Sequence, residues 1–445
     1  YSISGTAMEQ FEKFRPDVLQ SFVELSKTGC VEFLSETYYH SLSYIYDKTE
    51  FVRQVDKHKA IIKKYFNQSP KVFRNTELIY NNEIAKFVED MGYKAILCEG
   101  VDRLLMNRTP NFVYRAPNCH KIKSLLKNYR LSDDIAFRFS DPNWAEQPLT
   151  APKFAGWVHA AAGAGEVINL FMDYETFGEH QWASSGIFDF LKHLPEEILK
   201  HKDFDFKTPS EVAETYPIRD DYDAHHLVSW ADTERDLSAW LGNSLQNESI
   251  ERIYSFKEKV MATGRQDILE TWAKLLTSDH FYYMSTKYWA DGDVHKYFSP
   301  YQSPYDAYIF YMNALTDMEY VLNEIIKQQQ SGKSAKPIAV EKLKINALTA
   351  AAAPAKEPDD VMQESVEAAP SEASSSASRI REEVLQKVKS LAKKVSTTKP
   401  KAVQKTATKK AVETSSAKAK PSAKAKPVKK ATKAKAAAKP KKKSS

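Results

Sequence analysis

The segment Ile168-Asn169-Leu170-Phe171-Met172-Asp173-Tyr174-Glu175-Thr176-Phe177-Gly178-Glu179-His180 is an apolar run that breaks into three acids and a histidine. Upstream, Val72-Phe73-Arg74-Asn75-Thr76-Glu77 follows the same pattern. Two carboxyl groups are what glycosidic cleavage needs. One attacks the sugar or activates water, and the other protonates the leaving oxygen. The acid must hold its proton at working pH, which burial and a neighbouring anion can supply. If residues 167–173 form a strand, Asn169, Phe171 and Asp173 share one face, and Ile168, Leu170 and Met172 the other. In a parallel barrel, helices cover the outer face, so the purely apolar set belongs outside. Asp173 then points inward at the C-terminal rim, where such barrels carry their active sites. Glu77 ends its strand in the same way, with Arg74 and Asn75 able to orient it. An acid after an apolar strand is also an ordinary capping or surface residue, and spacing alone leaves both readings open.

The elements that must position these acids alternate. Cys30 to Leu34 is short and β-prone. Phe51 to Phe66 carries Phe51, Val55, Ile62 and Phe66 as a helical stripe. Val72-Phe73 opens a strand, Asn82 to Met91 a helix with Gly92 just past its end, and Tyr93 to Cys98 another strand. Lys123 to Tyr129, Ile135 to Phe139 and Val167 to Asp173 continue as expected strands, with Gly163-Ala164-Gly165 as a turn. Strand and helix in turn imply βαβ units and a parallel sheet. Thr208-Pro209-Ser210-Glu211 is a capping box. From about residue 230 the pattern is mainly helical, with Ser303-Pro304 starting a helix that runs to about Gln329. The expected fold is α/β, a catalytic domain over 1–220 followed by a helical domain over 221–331.

Four further segments join the two acidic ones: Val31-Glu32-Phe33-Leu34-Ser35, Tyr38-Tyr39-His40, Asn128 to Phe139, and Trp240-Leu241-Gly242-Asn243. In order and interval, across roughly residues 1–330, they resemble glycoside hydrolase family 57, and the long segment from Asn128 resembles its α-amylase-type branch. The resemblance implies an incomplete (β/α)7 barrel, a helical domain completing the cleft, and a retaining mechanism on α-glucans or maltooligosaccharides. It implies Glu77 as nucleophile and Asp173 as general acid, then base. That family opens with a strand ending in His-Gln-Pro, which does not occur before Glu32, so the first barrel strand is expected to be missing.

Around this pair, Trp230, Trp240 and Asn243 sit in a polar stretch suited to stacking on sugar faces and bonding hydroxyls, with packing between domains as the competing role. Trp182 has a similar claim. His40 and His180 are candidates to bond sugar hydroxyls or orient carboxylates, and Glu32 to line the substrate or orient. Glu175 and Glu179 either support Asp173 or are solvated loop acids.

The 445 residues carry +6, but the average hides two regions. Residues 401–445 hold sixteen Lys and one Glu, so the remaining 400 carry −9. Residues 332–379 read as a disordered linker, 380–395 as a possible short helix, and 396–445 as a disordered Lys/Ala/Pro tail. Such a tail resembles those of linker histones. It fits nonspecific contact with nucleic acid or another polyanion, or no partner at all. Three cysteines with no ligand spacing suggest a reducing, cytoplasmic setting without disulfides. His180, His225 and His226 keep no metal-ligand spacing. Gly163-Ala164-Gly165 lacks the Lys-Ser/Thr of a phosphate loop, so no metal or cofactor is expected. No apolar run approaches the length of a membrane span.

Overall fold

Strand β2 (Ala95–Glu99) lies between β1 (Val72–Arg74) and β4 (Lys123–Lys127), and all three are parallel. β3 (Val113–Arg115) runs antiparallel to β4 and carries β5 (Asp220–Asp221) on its far side. The computed structural model describes residues 1–287 and 299–331, so the linker, short helix and tail expected beyond 331 lie outside the described residues. Two single parallel bridges add to the five-stranded sheet, Ser35 to Phe73 on its β1 edge and Lys127 to Asn169 at the C-terminal end of β4. The result is a mixed, barrel-like partial sheet with helices following, rather than the purely parallel one expected from the alternation.

Side-chain alternation splits this sheet cleanly. Phe73, Ile96, Cys98, Tyr114 and Leu126 enter one large core cluster, shared with Trp240, Trp272, Phe281 and Leu315 of the C-terminal helices. Val72, Ala95, Leu97, Val113 and Leu125 enter a second, smaller cluster with Leu34, Leu78 and Val167. Phe171 and Trp230 pack on this second cluster.

Several elements follow local chemistry. Asp47 starts the helix Lys48–Phe66 by accepting from the amides of Thr49 and Glu50, and Phe51, Val55, Ile62 and Phe66 are its buried stripe. The helix Asn82–Asp90 is followed by Gly92 at φ 89°, in the left-handed region. The helix Pro209–Thr215 has the expected reciprocal cap between Thr208 and Glu211. The helix Pro304–Gln330 starts at Ser303.

Three segments read as strands do not form them, and of these Cys30 to Leu34 leads only to the single Ser35 bridge. Residues 129–136 are the helix Tyr129–Ala136, because the Asn128 side chain accepts from the Leu131 amide and caps it. Ile135 and Phe139 then join Phe154 and Phe190 in a helical cluster, while Phe137 between them stays exposed. The apparent period of two came from a helix end. Residues 167–173 are extended but are not a ladder strand. β3 already pairs with Ser124 and Leu125 of β4, leaving only its last residue, Lys127, for Asn169. The segment is held instead by single bonds. The Asn128 amide donates to the Asn169 carbonyl at 2.9 Å, and Asn169 Nδ2 donates to the Leu126 carbonyl at 2.9 Å. The Phe171 amide donates to Ser132 Oγ at 3.2 Å. The faces are nevertheless as the alternation implied. Ile168, Leu170 and Met172 pack on the helical cluster, and Phe171 on the inner one.

Asn169→Ala removes a side-chain hydrogen bond that substitutes for a ladder. The expected cost is about 1 kcal/mol in a denaturant titration.

Candidate active site

The C-terminal ends of the parallel segments meet at one rim. Glu36 follows Ser35, Glu77 follows β1, Glu99 ends β2, Lys127 ends β4, and Asp173 follows the Asn169 bridge. Between this rim and the C-terminal helices lies a cavity of about 520 Å³ lined by Glu77, Lys127, Asp173, Trp230, Trp240 and Asp279, among others. That volume falls in the usual range for small-ligand sites.

Glu77 sits in a tight turn, Thr76–Leu78, directly after β1. Its φ is 55° and that of Leu78 is 51°. Non-glycine residues in this left-handed region cost on the order of 1–3 kcal/mol each. The turn is secured by Asn75 Nδ2 donating to the Ile79 carbonyl at 3.0 Å, and by the Thr37 and Thr76 hydroxyls 2.8 Å apart. Each carboxylate oxygen of Glu77 has its own partner. His40 Nε2 lies 2.8 Å from Oε1, and Trp230 Nε1 donates to Oε2 at 2.7 Å. Burial alone would raise the Glu77 carboxyl. The His40 hydrogen bond and charge, Arg74 and the Trp230 N–H outweigh it and hold the group below the ordinary glutamate value.

Asp173 is treated oppositely. Burial raises its carboxyl to about 7. Arg74 and His40 oppose that rise, and the anions Glu175 and Glu77 add to it. At neutral pH one carboxyl is thus ionised and the other holds its proton about half the time, the division of labour that acid and nucleophile require.

Trp230 is fixed from below and behind. The Arg74 guanidinium lies 5.0 Å and Lys127 Nζ 5.2 Å from its ring centre, and Arg235 donates to its carbonyl. Lys127 is buried and paired with Asp133 at 3.1 Å and Glu99 at 3.7 Å, while Arg235 reaches Asp133 at 3.6 Å. Burial pushes the Glu99 carboxyl up, against the pull of Lys127 and Arg235. The C-terminal helices close the other wall with Asp279, Tyr282 and Tyr283. They are tied to the rim by the Ser278 amide donating to the His40 carbonyl at 2.9 Å.

Of the residues expected from sequence, the structure brings Glu77, Asp173, Glu175, His180, Trp230 and Trp240 to the cavity wall. His40 and Arg74 stand behind it, against Glu77 and Trp230. Three do not line it. Glu32 turns to the N-terminus of the helix Pro209–Thr215, accepting from the Ser210 amide at 2.8 Å and from its hydroxyl. That positive helix end captures the carboxylate. Asn243 caps the helix Ser244–Ser255 and bonds the Met284 carbonyl at 2.9 Å. Trp182 is 63% exposed in a turn outside the cavity lining. Sequence reasoning passed over Lys127 and Glu99, although each ends an apolar strand as the recognised acids do. It also passed over Glu36, which follows the β-prone segment Cys30 to Leu34, and Asp279, whose neighbours in sequence carry no such signal. Among the described residues, no group of three or more His, Cys, Asp or Glu side chains is placed to hold a metal ion.

Two carboxyls of unequal proton affinity at the C-terminal rim of a β/α sheet are the kind of pair that glycosidic cleavage uses. The family model for glycosyl hydrolase family 57 matches residues 1–225, and the chain belongs to that family. It is an enzyme of the glycoside hydrolase type. A relative from Methanocaldococcus jannaschii, named "Putative alpha-amylase", is 45% identical over 345 residues, 75% of this chain and 73% of the relative. The fold is similar to that of a branching enzyme of family 57 from Pyrococcus horikoshii, with a TM-score of 0.54 and 14% identity over 80% of this chain and 77% of that one. It is also similar to that of a 4-alpha-glucanotransferase from Thermococcus litoralis, with a TM-score of 0.51 and 14% identity over 63% of this chain. The match spans 48% of the glucanotransferase.

Glu175→Gln removes an anion that keeps the proton on Asp173, so the Asp173 carboxyl should titrate below about 7. Carboxyl carbon NMR of Asp173 across pH 4 to 9, an interval of about two units or more on each side, would read the displacement directly.

Proposed function

We propose that the chain cleaves α-1,4-glucosidic links with retention, as an α-amylase-type enzyme. The observation that carries this reading is the unequal pair on one cavity: Glu77 held as an anion, Asp173 raised to about 7. Glu77 attacks the anomeric carbon while the bond to the leaving oxygen breaks, and Asp173 delivers its proton to that oxygen. Asp173, now ionised, takes a proton from water. The water oxygen bonds the anomeric carbon, and the ester to Glu77 breaks. Trp230 supplies a flat face beside the reacting sugar, Trp240 at 1% exposure backs the cavity wall from the core, and Arg74 orients the pair. The relative named as an amylase supports the substrate class.

A second reading keeps the site and the intermediate but passes the sugar to another sugar hydroxyl, as in a glucanotransferase or branching enzyme. The names of the similar folds favour it. Products from maltooligosaccharides separate the two: only shorter sugars for hydrolysis, longer or branched chains for transfer.

Glu77→Gln and Asp173→Asn should each lower kcat by about 10²–10⁴-fold or more with an ordinary α-glucan. The rate in the unaltered enzyme should fall as pH rises through about 7, where Asp173 loses its proton. It should also fall below the ordinary glutamate range, where Glu77 gains one. Near-normal rates in both variants would remove the assignment.

The proposed setting is cytoplasmic: all three cysteines are free, and no described helix is long and apolar enough to cross a membrane. For residues 396–445 we propose salt-sensitive, nonspecific binding to nucleic acid or another polyanion. Removing them should abolish retention on immobilised DNA at low salt and leave glucan turnover unchanged. Retention surviving the deletion would assign it elsewhere.

A further inference from the structure

One buried acid at the rim is linked to Glu77 through another side chain. Glu36 is 1% exposed and follows the Ser35 bridge to β1. Its Oε1 accepts from Ser2 Oγ at 2.6 Å, and its Oε2 faces His40 Nδ1 at 3.4 Å. Its backbone amide donates to His58 Nδ1 at 3.3 Å, and His58 Nε2 lies 2.9 Å from the Ile3 carbonyl. That pair of contacts puts the His58 proton on Nε2 and keeps the ring neutral. Burial lowers His58's affinity for a second proton further.

On the other side of His40, Nε2 meets Glu77 Oε1 at 2.8 Å. An imidazole with a carboxylate oxygen at each nitrogen serves both only when it carries two protons. We propose that Glu36 is a positioning residue that keeps His40 as an imidazolium against Glu77. This rests on the reading of Glu77 as the nucleophile.

The consequence falls on the second half of the reaction. The water oxygen bonds the anomeric carbon, its proton passes to Asp173, and the electron pair of the breaking ester returns to Glu77. A fixed cation beside the returning carboxylate lowers the barrier of that step. Burial would lower His40, yet the Glu36 and Glu77 hydrogen bonds and charges raise it to about 10. Burial would raise Glu36, yet the His40 hydrogen bond and the charges of His40 and Arg74 hold it well below the ordinary glutamate value. Other charged groups that act on or with His40 include Asp173 and Asp279, across the cavity, and Arg74, which shares Glu36, Glu77 and Asp173 with it.

The test uses the full chain and an aryl α-maltooligosaccharide with a good leaving group, so that the second step limits kcat. In Glu36→Gln, His40 loses its second carboxylate and gives up its proton at lower pH. Where the second step limits, kcat should then fall at least ~10-fold as pH rises through that lowered titration, about 1–3 units below its place in the unaltered enzyme, and the glycosyl ester should accumulate in intact-protein mass spectra. His40→Gln should show the lowered kcat at every pH, and the double variant should add nothing to it. An unchanged kcat–pH profile in Glu36→Gln, or an additive double variant, would overturn the proposal. If Glu36→Gln does not fold, Glu36→Asp decides by the same profile. A partial downward shift supports the proposal, and a profile at its original place overturns it. Glu77→Gln is the control. Activity surviving there removes the nucleophile assignment and this proposal together. Activity lost there with the Glu36→Gln profile unmoved removes this proposal alone.

Discussion

The site turns on one carboxylate with a different hydrogen-bond partner on each oxygen. Glu77 reaches its place only because the chain after β1 enters the left-handed region for two successive residues. That conformation is unfavourable by itself, and His40, Trp230, Asn75 and the Thr37–Thr76 contact hold it. Most of what surrounds the cavity can be read as support for those partners. Arg235 and the Lys127–Asp133 pair stand behind Trp230, and Glu36 and Ser278 stand behind His40.

The two candidate catalytic carboxyls differ because of what faces them, not because of how deep they lie. Burial pushes both up. Around Glu77, a charged imidazole, Arg74 and an indole N–H reverse the effect. Around Asp173, cations are opposed by two nearby anions, so burial wins. A buried network of Glu99, Lys127, Asp133 and Arg235 lies beneath, where removing one partner would leave an uncompensated charge. The site is therefore an electrostatic arrangement of the whole rim, to which the helical half contributes Asp279 and the Ser278 amide.

Much of this was legible in the sequence wherever the signal was local. Asp47 before a helix, the Thr208 capping box and the stripe of Phe51, Val55, Ile62 and Phe66 each specify an element through neighbours within a turn. An apolar run that stops at a charged residue marked Glu77 and Asp173, and the same signal at Glu99 and Lys127 was there to be used. The failures were also physical. Alternation at Ile135, Phe137 and Phe139 looked like a strand, but the cap at Asn128 turned the preceding residues into a helix. Glu32 looked like a cavity residue, but a helix N-terminus far along the chain captured it.

The sequence by itself determined which segments are extended, which are helical, and which faces are apolar. These follow from capping, side-chain periodicity and backbone preference over a few residues. It also marked the acids at the segment ends, and its motifs carried the resemblance to the family. Only the tertiary structure decided which of those acids meet, how β3 excludes residues 167–173 from the sheet, and why one carboxyl is held as an anion while the other keeps its proton. Those outcomes depend on Coulomb interactions and hydrogen bonds between groups far apart in sequence, such as Glu77 and Trp230, 153 residues apart. No local pattern encodes such a distance.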